Sequence, residues 1–523
     1  MFTRINTIKN FIIFYYFFSS LIFAQSYQKS QPLSFITNGD FQIRSLTLPN
    51  VDVNEQLDQD KRASHLKMLK FGYKHELNHE FLEESNSFIY ENKKIFILEY
   101  LTSNALGVRA VFEPFFLPDG VSLFVYNHDM SQIAGAYTDE NNNEAMYFST
   151  PLVEGEKIII ELNIENYVNL DDISLTVSSI IHDYRGIIQM RTNNNSDRQC
   201  GNDVFCEDAH NFIDQINSVA YIEMSQNICT GTMINNMRND LTPYFLTAAH
   251  CVNGDNPEGL RFYFNYNKNG CGNGDISYGE YAYGSTMISN CDCLVGNYPN
   301  ITLIGPDFAL LQITDSIPTE WEVYYAGFNA TNPAELPVSS GVHHPYGTYK
   351  KINYDNGYAT SSDWNSSIPN THWYLSWDNG GVVGGSSGSA LFDTLGNISG
   401  ILTGGNPNSI DCIDDPGSRN GWYGKISESW EWGDNPENRL KDWLDPENTG
   451  ELIIDGISNY LPLFIIGDVN NDQTINIQDI ILIINFILGS LTPNEDQIIK
   501  SDLNLDQLIN IQDVLLIINL INS

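Results

Sequence analysis

The sequence predicts a mostly β protein built from several domains, and three observations carry that reading. Its 523 residues exceed what one ordinary hydrophobic core encloses, so several domains are expected. Its composition is 42% hydrophobic and 12% aromatic, with abundant Gly, Asn and Tyr, which favours short strands joined by turns over long helices. All eight cysteines fall between Cys200 and Cys412, which marks off one stapled domain from its flanks.

From the N-terminus, Arg4 and Lys9 precede an apolar run from Phe11 to Phe23 that ends in small residues near Ala24. A charged start, a short apolar centre and a small-residue exit make residues 1–24 a secretory signal peptide. The run is shorter than the roughly 20 residues that cross a bilayer. The mature chain is therefore expected to be secreted, with no membrane span once the signal is removed, and its cysteines meet an environment in which disulfides persist. The net charge of −39 repels phosphate backbones and excludes nucleic acid as a partner.

Residues 25–194 carry no cysteine and alternate short strands such as KIFILEYL and EKIIIELNI with Asn, Gly, Pro and Asp turns, the pattern of a β-sandwich. The cysteine-rich domain spans 195–456, followed by a linker at 457–464. The tail at 465–523 contains a repeat, with copies beginning at Asp468 and Asp502, each an Asp/Asn-rich loop ahead of a short apolar helix.

Three segments of the cysteine-rich domain carry chemistry: YFLTAAHC with His250, GPDFALLQI with Asp307 and GGSSGSALF with Ser387. A serine hydroxyl is a poor nucleophile at neutral pH, so an imidazole must take its proton and a buried carboxylate must hold that imidazole in the right tautomer. Ser387, His250 and Asp307 are the candidates for those roles. The glycines around Ser387 allow a tight turn that would aim the N–H groups of Gly385 and Ser387 at an oxyanion. The order His, Asp, Ser is that of two-barrel serine proteases and differs from the orders in α/β-hydrolases and subtilisins. The rival reading is a catalytically silent secreted binding or adhesion protein that kept the fold; it is disfavoured because all three residues are intact.

Residues 200–455 resemble the bacterial lysyl endopeptidases, a branch of the trypsin-like class, through CTGTMINN, YFLTAAHC, FNYN, VHHP, WYGKISESW and RLKDWLDPENTG. The resemblance implies a trypsin-like double β-barrel of two six-stranded barrels, protein or peptide substrates and no catalytic cofactor. It also implies the pairings Cys200–Cys412, Cys206–Cys271 and Cys229–Cys251. Cys291 and Cys293 fall outside those bridges, and a bond across one residue is expected ahead of a metal site. The preceding sandwich looks like the family's propeptide, with a permanent substrate-binding module as the alternative and a maturation site in the Asn-rich stretch 191–199. The substrate pocket falls at Thr403, Gly404, Gly405 and Gly421. Gly421 stands where the family carries the acidic residue that recognises lysine, and Thr403 stands where it carries a histidine. A preference other than strict lysine is therefore expected, with Asp411, Asp414 or Asp415 as sources of a relocated charge. No lysine lies in the stretch 191–199, although Arg191 and Arg198 do.

In the tail, oxygen-bearing side chains occupy loop positions 1, 3, 5, 9 and 12: Asp468, Asn470, Asp472, Asn476 and Asp479, then Asp502, Asn504, Asp506, Asn510 and Asp513. The backbone carbonyls of Thr474 and Leu508 fall at position 7. Calcium takes six to eight oxygens, and each loop gathers such a set, so two Ca2+ ions are expected. The position-12 aspartates and the tandem copies resemble the dockerin type I domain. That resemblance implies a cohesin-like scaffold as partner, contacted through Ile477, Gln478, Ile511 and Gln512.

Overall fold

In a computed structural model, residues 31–36, 42–192, 200–459 and 466–521 are described, apart from short interruptions at 273, 297, 365–367, 407, 409–411, 413–415, 471–473 and 505–507. The expected signal peptide and most of the stretch 191–199 lie outside the described residues, as do Asp411, Asp414, Asp415, Asp472 and Asp506. The chain packs as two compact units. Of the described residues, one unit comprises those up to 58, 70–191 and 225–227, and the other those at 59–69, 192–224 and from 228 onward.

The first unit contains two sheets, as the alternating pattern predicts. One is a six-stranded sheet centred on the antiparallel pair Lys93–Leu101 and Lys157–Glu165, and the other a five-stranded sheet built around Gly107–Phe116 and Ser174–Asp183. Ile95, Ile97, Ile158 and Ile160 are buried on the first sheet, and Val108, Phe112, Val177 and Ile180 on the second. Burial of this many branched and aromatic side chains, at about 25 cal/mol per Å², is the main force holding such a unit together.

The second unit carries the cysteine-rich domain as two large sheets, with two two-stranded sheets beside them among the described residues. In the C-terminal one, strands Glu335–His343, Tyr358–Ser362, His372–Ser376, Asn420–Lys425, Ile398–Gly405 and Ala390–Asp393 pair in succession, and the last pairs back onto the first. That ring closes a six-stranded barrel with no continuous sheet edge; Ile398–Gly405 runs on past its pairing with Ala390–Asp393, which ends at Ile401. The N-terminal sheet follows a path of seven strands, Ile276–Tyr283, Arg261–Lys268, Val219–Glu223, Asn227–Met233, Tyr244–Ala248, Phe308–Ile313 and Ser285–Asn290. Here the expectation of six strands is corrected: Ile276–Tyr283 forms an additional hairpin arm on Arg261–Lys268. The Gly284 N–H donates to the Leu260 carbonyl at 2.9 Å, tying the far end of the path back towards its start.

All four disulfides occur: Cys200–Cys412, Cys206–Cys271, Cys229–Cys251 and Cys291–Cys293. The first spans 212 residues, the kind of long loop whose closure removes most entropy from the unfolded chain. The tail forms helices Ile477–Ile487 and Ile511–Ile521 around Val469, Ile483, Val514 and Ile517. A further short helix, Glu495–Ser501, lies between the repeats. The sequence reading missed it because it carries no apolar run; Asn494 and Gln497 hold its start as a capping box.

Candidate active site

His250 lies in the short helix Ala249–Val252, which follows directly on strand Tyr244–Ala248, and the Cys229–Cys251 bridge ties that helix to strand Asn227–Met233. Asp307 immediately precedes strand Phe308–Ile313, which pairs with Tyr244–Ala248, so adjacent strands deliver both residues to one place. Asp307 sits at φ 58°, a left-handed conformation that Asp tolerates better than most residues. There its Oδ1 accepts the His250 backbone N–H at 3.0 Å, and its Oδ2 lies 2.7 Å from His250 Nδ1. On the other side of the ring, His250 Nε2 lies 2.8 Å from Ser387 Oγ. All three side chains are buried. The carboxylate can only accept, so it fixes the proton on Nδ1 and leaves Nε2 free to accept the serine proton.

The turn bearing Ser387 is held from several directions. Gly385 has φ 93°, and a Cβ there would lie 2.6 Å from the His344 carbonyl oxygen, so only glycine serves. Thr230 bridges this turn to VHHP: its hydroxyl donates to the Gly385 carbonyl at 2.9 Å and accepts the His344 N–H at 3.0 Å. The Thr230 N–H donates to the Ser387 carbonyl at 2.8 Å. His343 Nε2 donates to the Cys200 carbonyl at 2.9 Å, which directs its Nδ1 to accept from the Ser386 hydroxyl at 2.7 Å. Burial pushes the His343 imidazole down to about 4, so it stays neutral and this arrangement holds.

Of the expected pocket residues, Thr403, Gly404 and Gly405 end strand Ile398–Gly405, and Gly421 opposes Gly405 on Asn420–Lys425. A Cβ at Gly421 would stand 2.7 Å from the Tyr423 ring. The Thr403 hydroxyl lies 3.0 Å from His372 Nε2, and burial lowers the His372 imidazole to about 4. Trp364 stacks on His372 with ring centroids 6.0 Å apart. Sequence reasoning missed Trp364 and His372, since neither sits in a motif. It also missed the segment His65–Leu69. The Ser387 N–H donates to the Lys67 carbonyl at 3.0 Å, and the Gly405 N–H donates to the His65 carbonyl at 3.1 Å. These bonds explain why residues 59–69 pack with the cysteine-rich domain and not with the rest of the stretch 25–194.

In the tail, Asp468 and Asp479 of the first loop are buried, as are Asp502 and Asp513 of the second. Asp479 Oδ1 accepts the Val469 and Asn470 N–H groups, and Oδ2 accepts that of Asn476; Asp513 does the same with Leu503, Asn504 and Asn510. Two buried carboxylates per loop within an all-oxygen donor set fit calcium. Asn476 and Asn510 additionally accept the Gln478 and Gln512 N–H groups at the helix starts. Ile477, Gln478, Ile511 and Gln512 are exposed. Elsewhere among the described residues, Cys229, His250 and Cys251 gather three metal-type donors, but both sulfurs are committed to a disulfide.

Residues 194–424 match the lysyl endopeptidase C-terminal domain family, and residues 466–522 match the dockerin type I domain. A lysyl endopeptidase of Pseudomonas aeruginosa is 25% identical over 302 residues, covering 55% of this chain and 62% of that relative's length. Among solved structures, a Glu endopeptidase is 20% identical over 40% of this chain and 85% of its own, with a TM-score of 0.27. A serine endoprotease from Yersinia pestis is 16% identical over 41% of this chain and 62% of its own, with a TM-score of 0.26. Residues 194–424 are thus similar to the C-terminal domain of lysyl endopeptidases, and residues 466–522 to the dockerin type I domain.

Proposed function

We propose that this protein is a secreted serine endopeptidase made as a preproenzyme, which hydrolyses peptide bonds through an acyl-enzyme on Ser387 and is anchored through its calcium-dependent tail. The observation that carries this reading is the unbroken hydrogen-bonded chain from Asp307 through His250 to Ser387. Ser387 Oγ attacks the scissile carbonyl while its proton passes to His250 Nε2. Asp307 stabilises the imidazolium that forms. The N–H groups of Gly385 and Ser387 would receive the developing oxyanion, and losing one such donor typically costs ~10²–10³ in turnover. His250 then protonates the leaving amine, and a water, deprotonated by the same ring, releases the acyl group.

Without a carboxylate at Gly421, the pocket supports a preference broader than strict lysine. The sandwich preceding the protease domain acts as a propeptide. In the tail, Asp468, Asn470, Asp472, Thr474, Asn476 and Asp479, and their counterparts in the second loop, would hold one ion each. Bound calcium supplies the positive charge that lets these carboxylates share one loop. The exposed Ile477, Gln478, Ile511 and Gln512 support docking to a cohesin-like protein outside the cell. Digestion of a mixed peptide library, read by mass spectrometry, tests the reading. The wild-type protein is expected to cut and Ser387→Ala to be inert; hydrolysis retained by Ser387→Ala would overturn the assignment.

A further inference from the structure

The segment His65–Leu69 lies where a substrate of this site would lie. The Gly405 N–H donates to the His65 carbonyl at 3.1 Å, and Leu66 forms an antiparallel bridge with Gly404, so the segment adds as a short strand to the edge of Ile398–Gly405. Extended peptides are recognised in this way: backbone bonds set the register, and pockets read alternate side chains. Glycine is required for the approach at position 404. A Cβ at Gly404 would stand 2.1 Å from the His65 carbonyl oxygen, and one at Gly405 would stand 3.0 Å from Lys67 Cε. The His65 ring stacks over Trp364, with centroids 6.2 Å apart.

One residue further on, the Lys67 carbonyl oxygen accepts the Ser387 N–H at 3.0 Å, the donor that would stabilise an oxyanion. The Lys67 side chain is 2% exposed, and its Nζ donates to the Asn406 carbonyl at 2.8 Å. Beyond it, the Met68 carbonyl and the Leu69 side chain pass Gly384, where a Cβ would stand 3.5 Å and 3.4 Å from them. The chain therefore runs through the cleft on both sides of Ser387, with a lysine seated deep in it.

We propose that residues 65–69 are the protein's own first substrate: Lys67 fills the primary pocket, with Asn406 as the residue that receives its ammonium, and the Lys67–Met68 bond is the one presented to Ser387. This rests on the peptidase reading above. Ser387 Oγ bonds to the Lys67 carbonyl carbon as its proton moves to His250, and the bond to the Met68 nitrogen breaks as His250 returns that proton to the amine. Water then splits the ester, leaving a carboxylate on Lys67, a new N-terminus at Met68 and the free serine. Until that cut the segment denies the cleft to other substrates. Because it is tethered, its effective concentration exceeds that of any free peptide. The Asn406 carbonyl is an acceptor for a basic side chain that does not depend on a carboxylate at position 421.

The full-length chain is followed by intact mass and N-terminal sequencing during maturation, alongside hydrolysis of a separate protein substrate. A new N-terminus at Met68 is expected in the wild type, forming at a rate that does not change on dilution, and absent from Ser387→Ala. Lys67→Asp is expected to slow that cut by at least about tenfold, since a carboxylate would meet the Asn406 carbonyl with no donor to offer. Lys67→Arg, which keeps the cation, is expected to retain it. A wild type that hydrolyses the separate substrate while its 67–68 bond stays whole overturns this proposal and leaves the peptidase reading standing. Cleavage whose rate rises with protein concentration overturns presentation within one chain. A wild type inert towards both bonds overturns the two readings together.

Discussion

His343→Gln, made in a Ser387→Ala background to prevent self-digestion, should make folding markedly less sensitive to acid. In the parent, His343 is buried and neutral, donating to the Cys200 carbonyl and accepting from the Ser386 hydroxyl. Burial lowers its imidazole from 6.5 to about 4, and the nearby Lys351 ammonium pushes in the same direction, against the opposing hydrogen bonds to Cys200 and Asn353. Because the folded value lies below the unfolded one, the unfolded chain binds the extra proton between them. The stability contributed by keeping the ring neutral is present above about pH 6.5 and is lost as pH falls towards about 4. At a limit of about 1.4 kcal/mol per pH unit, the loss between pH 7 and pH 5 comes to about 2 kcal/mol for this one group. Glutamine can make both hydrogen bonds and does not titrate. Urea unfolding at the two pH values should therefore show the parent losing about 2 kcal/mol more than the variant. His372 and His182, also pushed down to about 4 by burial, contribute equally to both proteins and cancel in the difference. Equal losses in parent and variant would refute the reasoning.

Three further outcomes are expected. Thr230→Val removes the hydroxyl that bridges the Gly385 carbonyl and the His344 N–H, leaving two buried groups without that partner. It should cost about 2–5 kcal/mol by thermal unfolding and lower turnover by loosening the nucleophile turn. Asp307→Asn preserves the shape but offers His250 Nδ1 a different partner, and turnover should fall by ~10⁴ with little change in KM, measured on a peptide substrate. Chelating calcium in the Ser387→Ala chain should expose residues beyond 465 to an added protease, with protection restored by calcium but not by magnesium. The four residues Val469, Ile483, Val514 and Ile517 are too small a core to hold that module alone.

Much of the site was legible in the linear chain because its chemistry is written in local motifs. TAAHC, a DFALL strand and GGSSGS each place one reactive side chain on a defined turn, and their order admits only a few folds. The repeated loops of the tail are legible for the same reason: twelve consecutive residues contain the whole proposed donor set. The cysteine pairings came from family resemblance, since spacing alone leaves many connectivities open. The barrel's extra hairpin arm, Ile276–Tyr283, and the helix Glu495–Ser501 were not foreseen, as short elements depend on neighbours more than on their own pattern.

By itself, the sequence determined which residues could do chemistry: a nucleophile, a base, its orienting carboxylate, glycines for a tight turn, and oxygens at loop spacing. Only the tertiary structure decided what meets them. His343 and Thr230 lie in the stretches VHHP and CTGTMINN, whose pattern says nothing of their role, Trp364 lies in no motif, and all three act through partners many residues away in sequence. Lys67 is the extreme case. It precedes Ser387 by hundreds of residues and sits in a stretch read as part of a separate domain, yet its carbonyl accepts the Ser387 N–H. Periodicity and spacing report interactions within a few turns of chain, whereas a strand added to a barrel edge is specified by backbone groups that every residue carries. No side-chain pattern could have marked that pairing before the fold brought the two segments together.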